Sequence, residues 1–132
     1  MSPNIRRCVT ERKLRVLCVC IGGTVRSVGM KDVLNGDFRC NAIAASAVWQ
    51  DEETLDLLCR WADRIVPVVP QDWSHHACPE RDSNRWRQSA MWKDEHAAKV
   101  RVANLGEDIW GNARHPELRK LCVSKAEEVI RA

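Results

Sequence analysis

The chain of 132 residues has no tyrosine, one phenylalanine and five prolines. It also lacks any apolar run near the ~20 residues that a membrane-crossing helix needs. The longest, residues 16–21, stops at Gly22 and Gly23, so no membrane partner is expected. The apolar stretch of a secretory signal is missing too, because Arg6, Arg7, Arg12, Lys13 and Arg15 leave no room for it. No internal repeat or low-complexity tract is present, which excludes a solenoid. Nor is there an even complement of cysteine. The seven are scattered, and Cys18 and Cys20 lie two apart in a strand-like run where a mutual cross-link would be awkward. This usage points to reduced thiols in a cytoplasmic-type compartment and argues against a disulfide framework.

What is present is 45% hydrophobic and 30% charged residues, the balance of one soluble globular domain. The net charge of +3 is uneven: residues 1–15 carry five basic residues against Glu11, a net +4, and the rest sum to about −1. Residues 1–13 are therefore expected to form a basic flexible tail ahead of a single domain over 14–132. A basic tail is not a basic face on a folded domain, so nucleic acid is not expected as a partner. The oligomeric state has no sequence signature here.

Residues 14–20 are short, rich in apolar and β-branched side chains, and read as a strand buried on both faces. Residues 21–27 form a loop, and Ser27 is placed to cap a helix from about 28 to 34. A second strand is expected over 40–45. Asp51, Glu52 and Glu53 open the clearest helix, with Leu55, Leu58, Cys59 and Ala62 at helical spacing. Residues 64–69 read as a third strand, with Pro67 marking an end or irregularity. Helices are expected near 72–76 and 87–98, and a fourth strand over 99–105. His115-Pro116-Glu117 opens a last helix with proline in its first turn and Leu118, Leu121, Cys122 and Val129 inward. Such alternation predicts an α/β fold with a parallel sheet between helices. Ligands of such sheets bind beyond the carboxyl ends of the strands, which directs attention to residues 20–27.

There, Cys20 ends a buried strand, Gly22 and Gly23 follow, and Arg26 and Ser27 start a helix. A short loop wrapping into a helix N-terminus points successive backbone N–H groups at one centre, and glycine lets the backbone approach an anion closely. Arg26 can hold two oxygens of that anion. The helix start and the guanidinium both favour a thiolate at Cys20, and Ser27 can donate a hydrogen bond to the sulfur. A thiolate facing a bound tetrahedral oxyanion is arranged for in-line attack.

The stretch Val19-Cys20-Ile21-Gly22-Gly23-Thr24-Val25-Arg26-Ser27 resembles the phosphate loop V-C-x-G-N-x-C-R-S of the low-molecular-weight protein tyrosine phosphatases. Trp61-Ala62-Asp63-Arg64-Ile65-Val66 is similar to their WADLI segment, and His115-Pro116-Glu117-Leu118 to their DPEL helix start. The resemblance implies a three-layer sandwich with a four-stranded parallel sheet in the order 2-1-3-4. It implies hydrolysis of a phosphorylated protein or small aryl phosphate through a cysteinyl-phosphate, without metal or organic cofactor. Cys20 would be the nucleophile. The backbone of Ile21, Gly22, Gly23, Thr24, Val25 and Arg26 would cradle the phosphoryl oxygens with the Arg26 side chain, and Ser27 would bond the sulfur. Asp108, beside Glu107, would be the general acid. With no tyrosine available, Trp110 is the expected aromatic wall. The chain departs from the motif at Gly23, where the family has asparagine, and at Val25, where it has a second cysteine. These departures admit an alternative in which the loop binds phosphate groups without efficient turnover. Arsenate reductases share the loop but need further relay cysteines, of which Cys78 alone falls in the right region. His75, His76 and Cys78 fall short of a zinc ligand set unless Cys59 or His96 joins them. Trp73, Trp86 and Trp92 mark residues 70–98 as a segment of unassigned role.

Overall fold

The computed structural model describes residues 12–21, 25–68, 86–106 and 109–131. Among them are three parallel strands, β1 (Arg15–Cys20), β2 (Asn41–Ser46) and β3 (Arg64–Pro67), in the order β2-β1-β3. Arg15 pairs with Asn41 and Val16 with Arg64, so all three strands start at one edge and end at the other. The helices are α1 (Arg26–Asp37), α2 (Glu52–Trp61) and α3 (Pro116–Ile130).

The near-unbroken apolar run of β1 reflects its central place. Because side chains alternate along a strand, Val16, Cys18 and Cys20 face one core and Leu17 and Val19 the other. The first core is closed by Met30, Val33 and Leu34 of α1 and by Leu118, Cys122, Ala126 and Val129 of α3. The second is closed by Leu55 and Cys59 of α2 with Trp86, Ala90 and Met91. Helical layers thus cover both faces of the sheet.

Several local expectations shift by a residue or two. The second strand runs to Ser46, and α1 begins at Arg26, with Ser27 inside its first turn. The cap position, Val25, makes no side-chain cap bond. In α3 the expectation holds closely: Pro116 opens the helix and the His115 ring accepts from the Glu117 N–H at 3.2 Å. The helix expected over 87–98 is replaced by two 3-10 segments, Ala90–Trp92 and Asp94–Lys99. Ser89 and Lys93 are both extended (ψ 144° and 146°), and the Ser89 hydroxyl accepts from the Met91 N–H at 3.5 Å. That local bond competes with continuous α-helix. Beyond these segments Val100 makes a parallel bridge with Ile65, and Arg101 and Ala103 donate backbone hydrogen bonds to Ile65 and Pro67, each at 2.8 Å. The helix expected near 72–76 lies outside the described residues, as do 1–11 of the expected tail. Arg12 is held: its guanidinium donates to both oxygens of Asp63 at 2.6 and 3.0 Å. Among the described residues no helix is long and apolar enough to cross a membrane.

Candidate functional site

Beyond β1 the next described helix, α1, packs on one face of the sheet, and beyond β3 the next described segment, with Trp86 and Met91, packs on the other. An open parallel sheet presents its binding crevice at such a switch point. Cys20 is the last residue of β1 and stands beside it, 3% exposed. Its backbone carbonyl accepts from Ala47 at 3.0 Å, and the preceding carbonyl, of Val19, accepts from Val68 at 2.9 Å. The backbone that carries the sulfur is therefore held from both neighbouring strand ends.

One predicted residue, Ser27, meets the sulfur directly, and Arg26 is its neighbour in the chain. The Cys20 thiol and the Ser27 hydroxyl share a buried hydrogen bond at 3.1 Å. Ser27, the second residue of α1, directs its hydroxyl to this sulfur. Arg26, at the first position of α1, is 4% exposed, and its Nη1 donates to the Gly106 carbonyl at 2.9 Å. This bond ties the start of α1 to the loop in which Glu107 and Asp108 follow in sequence. Val25 packs against the core on the α1 side, and the Ile21 carbonyl accepts from the Ser46 hydroxyl at 2.5 Å. Gly22, Gly23, Thr24, Glu107 and Asp108 lie outside the described residues, and so do His75, His76 and Cys78. Trp110 is half-buried against the α1–α3 core and meets the His115 ring edge-on, with centroids 5.4 Å apart.

Two residues escaped the sequence reasoning. Ser46 continues β2 past its expected end, and its single hydroxyl holds the Ile21 carbonyl while accepting from Val48 and Trp49 N–H at 3.1 and 2.8 Å. Trp49, fixed by that bond beside the Cys20 loop, is 77% exposed. A large apolar side chain in a loop at the carboxyl edge was the signal that could have found it.

The other thiols behave differently. The described cysteines are all free thiols. Burial pushes Cys18 far up, and its thiol neighbours Cys122, Cys20 and Cys40 add to the effect. Burial also raises Cys40, and it takes Cys59, with help from the Asp56 charge, and Cys122 to about 12. These four stay protonated and inert at neutral pH.

A second polar cluster sits across the sheet. His96, 2% exposed, lies with its Nε2 3.0 Å from Asp56 Oδ1. Lys93 reaches the same oxygen at 3.3 Å and Arg60 the other at 2.8 Å. The His96 hydrogen bond, more than the two cations, holds the Asp56 carboxyl below its usual range. Asp56, Glu95 and His96 bring ligand atoms within 4.8 Å of one another. Arg60 and Lys93 already occupy both Asp56 oxygens, however, and repel a cation, so the cluster is a clasp between α2 and Asp94–Lys99.

No protein-family model matches the chain, and neither a curated protein nor a solved structure matches it.

Proposed function

We propose that the Cys20 pole is a phosphomonoesterase site of the low-molecular-weight protein tyrosine phosphatase type. The observation that carries this reading is the Cys20–Ser27 hydrogen bond at the end of the central strand, with Arg26 buried at the adjoining helix start. The parallel bridge at Val100 and the two backbone bonds that follow it support residues 99–105 as a fourth strand, giving the order 2-1-3-4.

In this mechanism the Cys20 thiolate attacks phosphorus and the ester P–O bond breaks. Asp108 gives its proton to the leaving oxygen. The Asp108 carboxylate then takes a proton from water, whose oxygen attacks phosphorus, and the S–P bond breaks to release phosphate and the thiolate. Arg26 and the helix N-terminus stabilise charge on the three equatorial oxygens. Ser27 holds the sulfur, Ser46 fixes the entry to the loop, and Trp110 and Trp49 supply aromatic surface for a phosphorylated aryl group. The test is turnover of an aryl phosphate by wild type, Cys20→Ser and Asp108→Asn, with and without vanadate. Loss in Cys20→Ser, a lower rate in Asp108→Asn and inhibition by vanadate are expected. Vanadate binding without turnover would replace the enzyme by a phosphate-capture module. Neither binding nor turnover would refute both readings.

A further inference from the structure

The edge of the sheet opposite Cys20 is strongly basic. In a parallel sheet every strand starts at one edge, and here the strand starts carry arginine: Arg15 opens β1 and Arg64 opens β3. Lys99 and Arg101 flank Val100, which bridges to Ile65 in β3. Arg131 follows α3 and reaches the same place, since its carbonyl accepts from Arg64 Nε and Nη2 at 3.2 and 3.1 Å. Arg12 joins them through Asp63. In sequence these cations are spread over 120 residues and diluted by acids elsewhere, so a net charge summed along the chain conceals them.

Their partners decide what they can do. Asp63 answers Arg12 at 2.6 Å and Arg15 at 4.0 Å. Arg64, Lys99 and Arg101 donate instead to backbone carbonyls: Arg64 to Asp63 and Arg131, Lys99 to Cys59 and Arg60, Arg101 to Ala98 and Val100. Among the described residues no carboxylate lies within ion-pair distance of Arg64, Lys99, Arg101 or Arg131. Carbonyl bonds position a cation without cancelling its charge, so part of the ordering cost of binding is met in advance. Guanidinium dominates the group, the chemistry suited to phosphate oxygens, and Trp61 lies beneath Arg15 at 5.7 Å. Strand spacing of ~4.8 Å makes the edge a narrow row, matched to a single line of phosphates. The exposed large apolar side chains of the described residues are Trp49, Leu57, Val102, Ile109 and Val123. Of these, Val102 alone adjoins the row, which leaves little to enter a lipid surface.

We propose that this edge is an interaction surface for single-stranded nucleic acid, bound through its phosphate backbone without base readout. The surface is independent of the chemistry at Cys20. The test is fluorescence anisotropy of a labelled 20-nucleotide single-stranded DNA with the full chain, read against salt, beside vesicles containing phosphatidylserine. If the four unneutralised cations each meet a phosphate, log K falls against log salt with a slope of about −2.8, or about 50-fold in affinity from 50 to 200 mM. Arg64→Gln with Arg101→Gln is expected to halve the slope, leaving about a sevenfold loss over that range. Arg114→Gln with Lys120→Gln, an equal charge change at the start of α3, is expected to leave binding unchanged, as is Cys20→Ser. Circular dichroism establishes that each variant is folded. Equal loss in both double variants would overturn the proposal, because net charge alone would then be responsible. Absence of DNA binding, or tighter binding to the vesicles than to DNA, would overturn it as well.

Discussion

Replacing Ser27 by alanine removes one hydroxyl from a residue with no exposed surface, and the consequence can be worked from its single described partner, the Cys20 sulfur at 3.1 Å. For stability two effects oppose each other. The lost hydrogen bond costs about 1 kcal/mol, while alanine regains roughly 0.5 kcal/mol of helix propensity within α1. The variant is therefore expected to fold, with a net change under ~1 kcal/mol. Turnover responds more strongly, because the proposed reaction places charge on that sulfur when it attacks and again when it leaves. A hydrogen bond to a charged acceptor contributes about 1.5–3 kcal/mol and one between neutral groups about 0.5–1.5 kcal/mol. The difference between the midpoints, roughly 1.25 kcal/mol, is a factor of about eight in the rate of a step in which the sulfur carries charge. The assay is kcat for an aryl phosphate in wild type and Ser27→Ala. A fall of about eightfold is expected in Ser27→Ala, with little change in KM. A wild-type kcat in a variant that unfolds at the wild-type urea midpoint would refute the role given to Ser27.

Three further outcomes follow from the packing and the charges. The Arg12 guanidinium, joined by the Arg15 N–H, holds the Asp63 carboxyl well below the usual carboxylate range. The folded chain thus binds this proton at lower pH than the unfolded chain. Its stabilisation is full above about pH 4 and is lost as pH falls through the folded value. Between pH 5 and 2.5 the urea midpoint is expected to fall less steeply in Asp63→Asn, and an unchanged slope would count against the pairing. In Gly29→Ala the new methyl would stand 3.0 Å from Leu118 Cδ2 and 3.3 Å from the Ala113 carbonyl. Overpacking of about 2 kcal/mol outweighs the ~1 kcal/mol helix gain, so a net loss near 1 kcal/mol is expected from urea unfolding, and a gain would show that Leu118 yields. With Ellman's reagent at pH 8, Cys18, Cys40, Cys59 and Cys122 are expected to stay silent until denaturant is added; rapid reaction of any of them in the native chain would contradict its burial.

The parts of the structure legible in sequence are those whose cause is local. The apolar run of β1 gives the central strand, and proline beside a histidine cap gives the start of α3, because each signal is contained in a few neighbouring residues. The meeting of Cys20 and Ser27 was legible for the same reason: strand end and helix start lie six residues apart in the chain. The segment over 87–98 was not legible, since Ser89 turns its hydroxyl to its own backbone, a choice that helical periodicity does not register. Asp56 was hidden within a helix whose face was drawn from Leu55, Leu58 and Cys59; it is buried because His96 and Lys93 arrive from some forty residues downstream. Ser46 and the basic edge share that origin. A serine at a strand end and arginines at strand starts are each unremarkable in the chain, and they acquire a role when parallel pairing aligns the ends of all the strands. One sheet therefore separates the molecule into a thiol-bearing pole that is read from a contiguous motif and a cationic pole that becomes visible through topology alone.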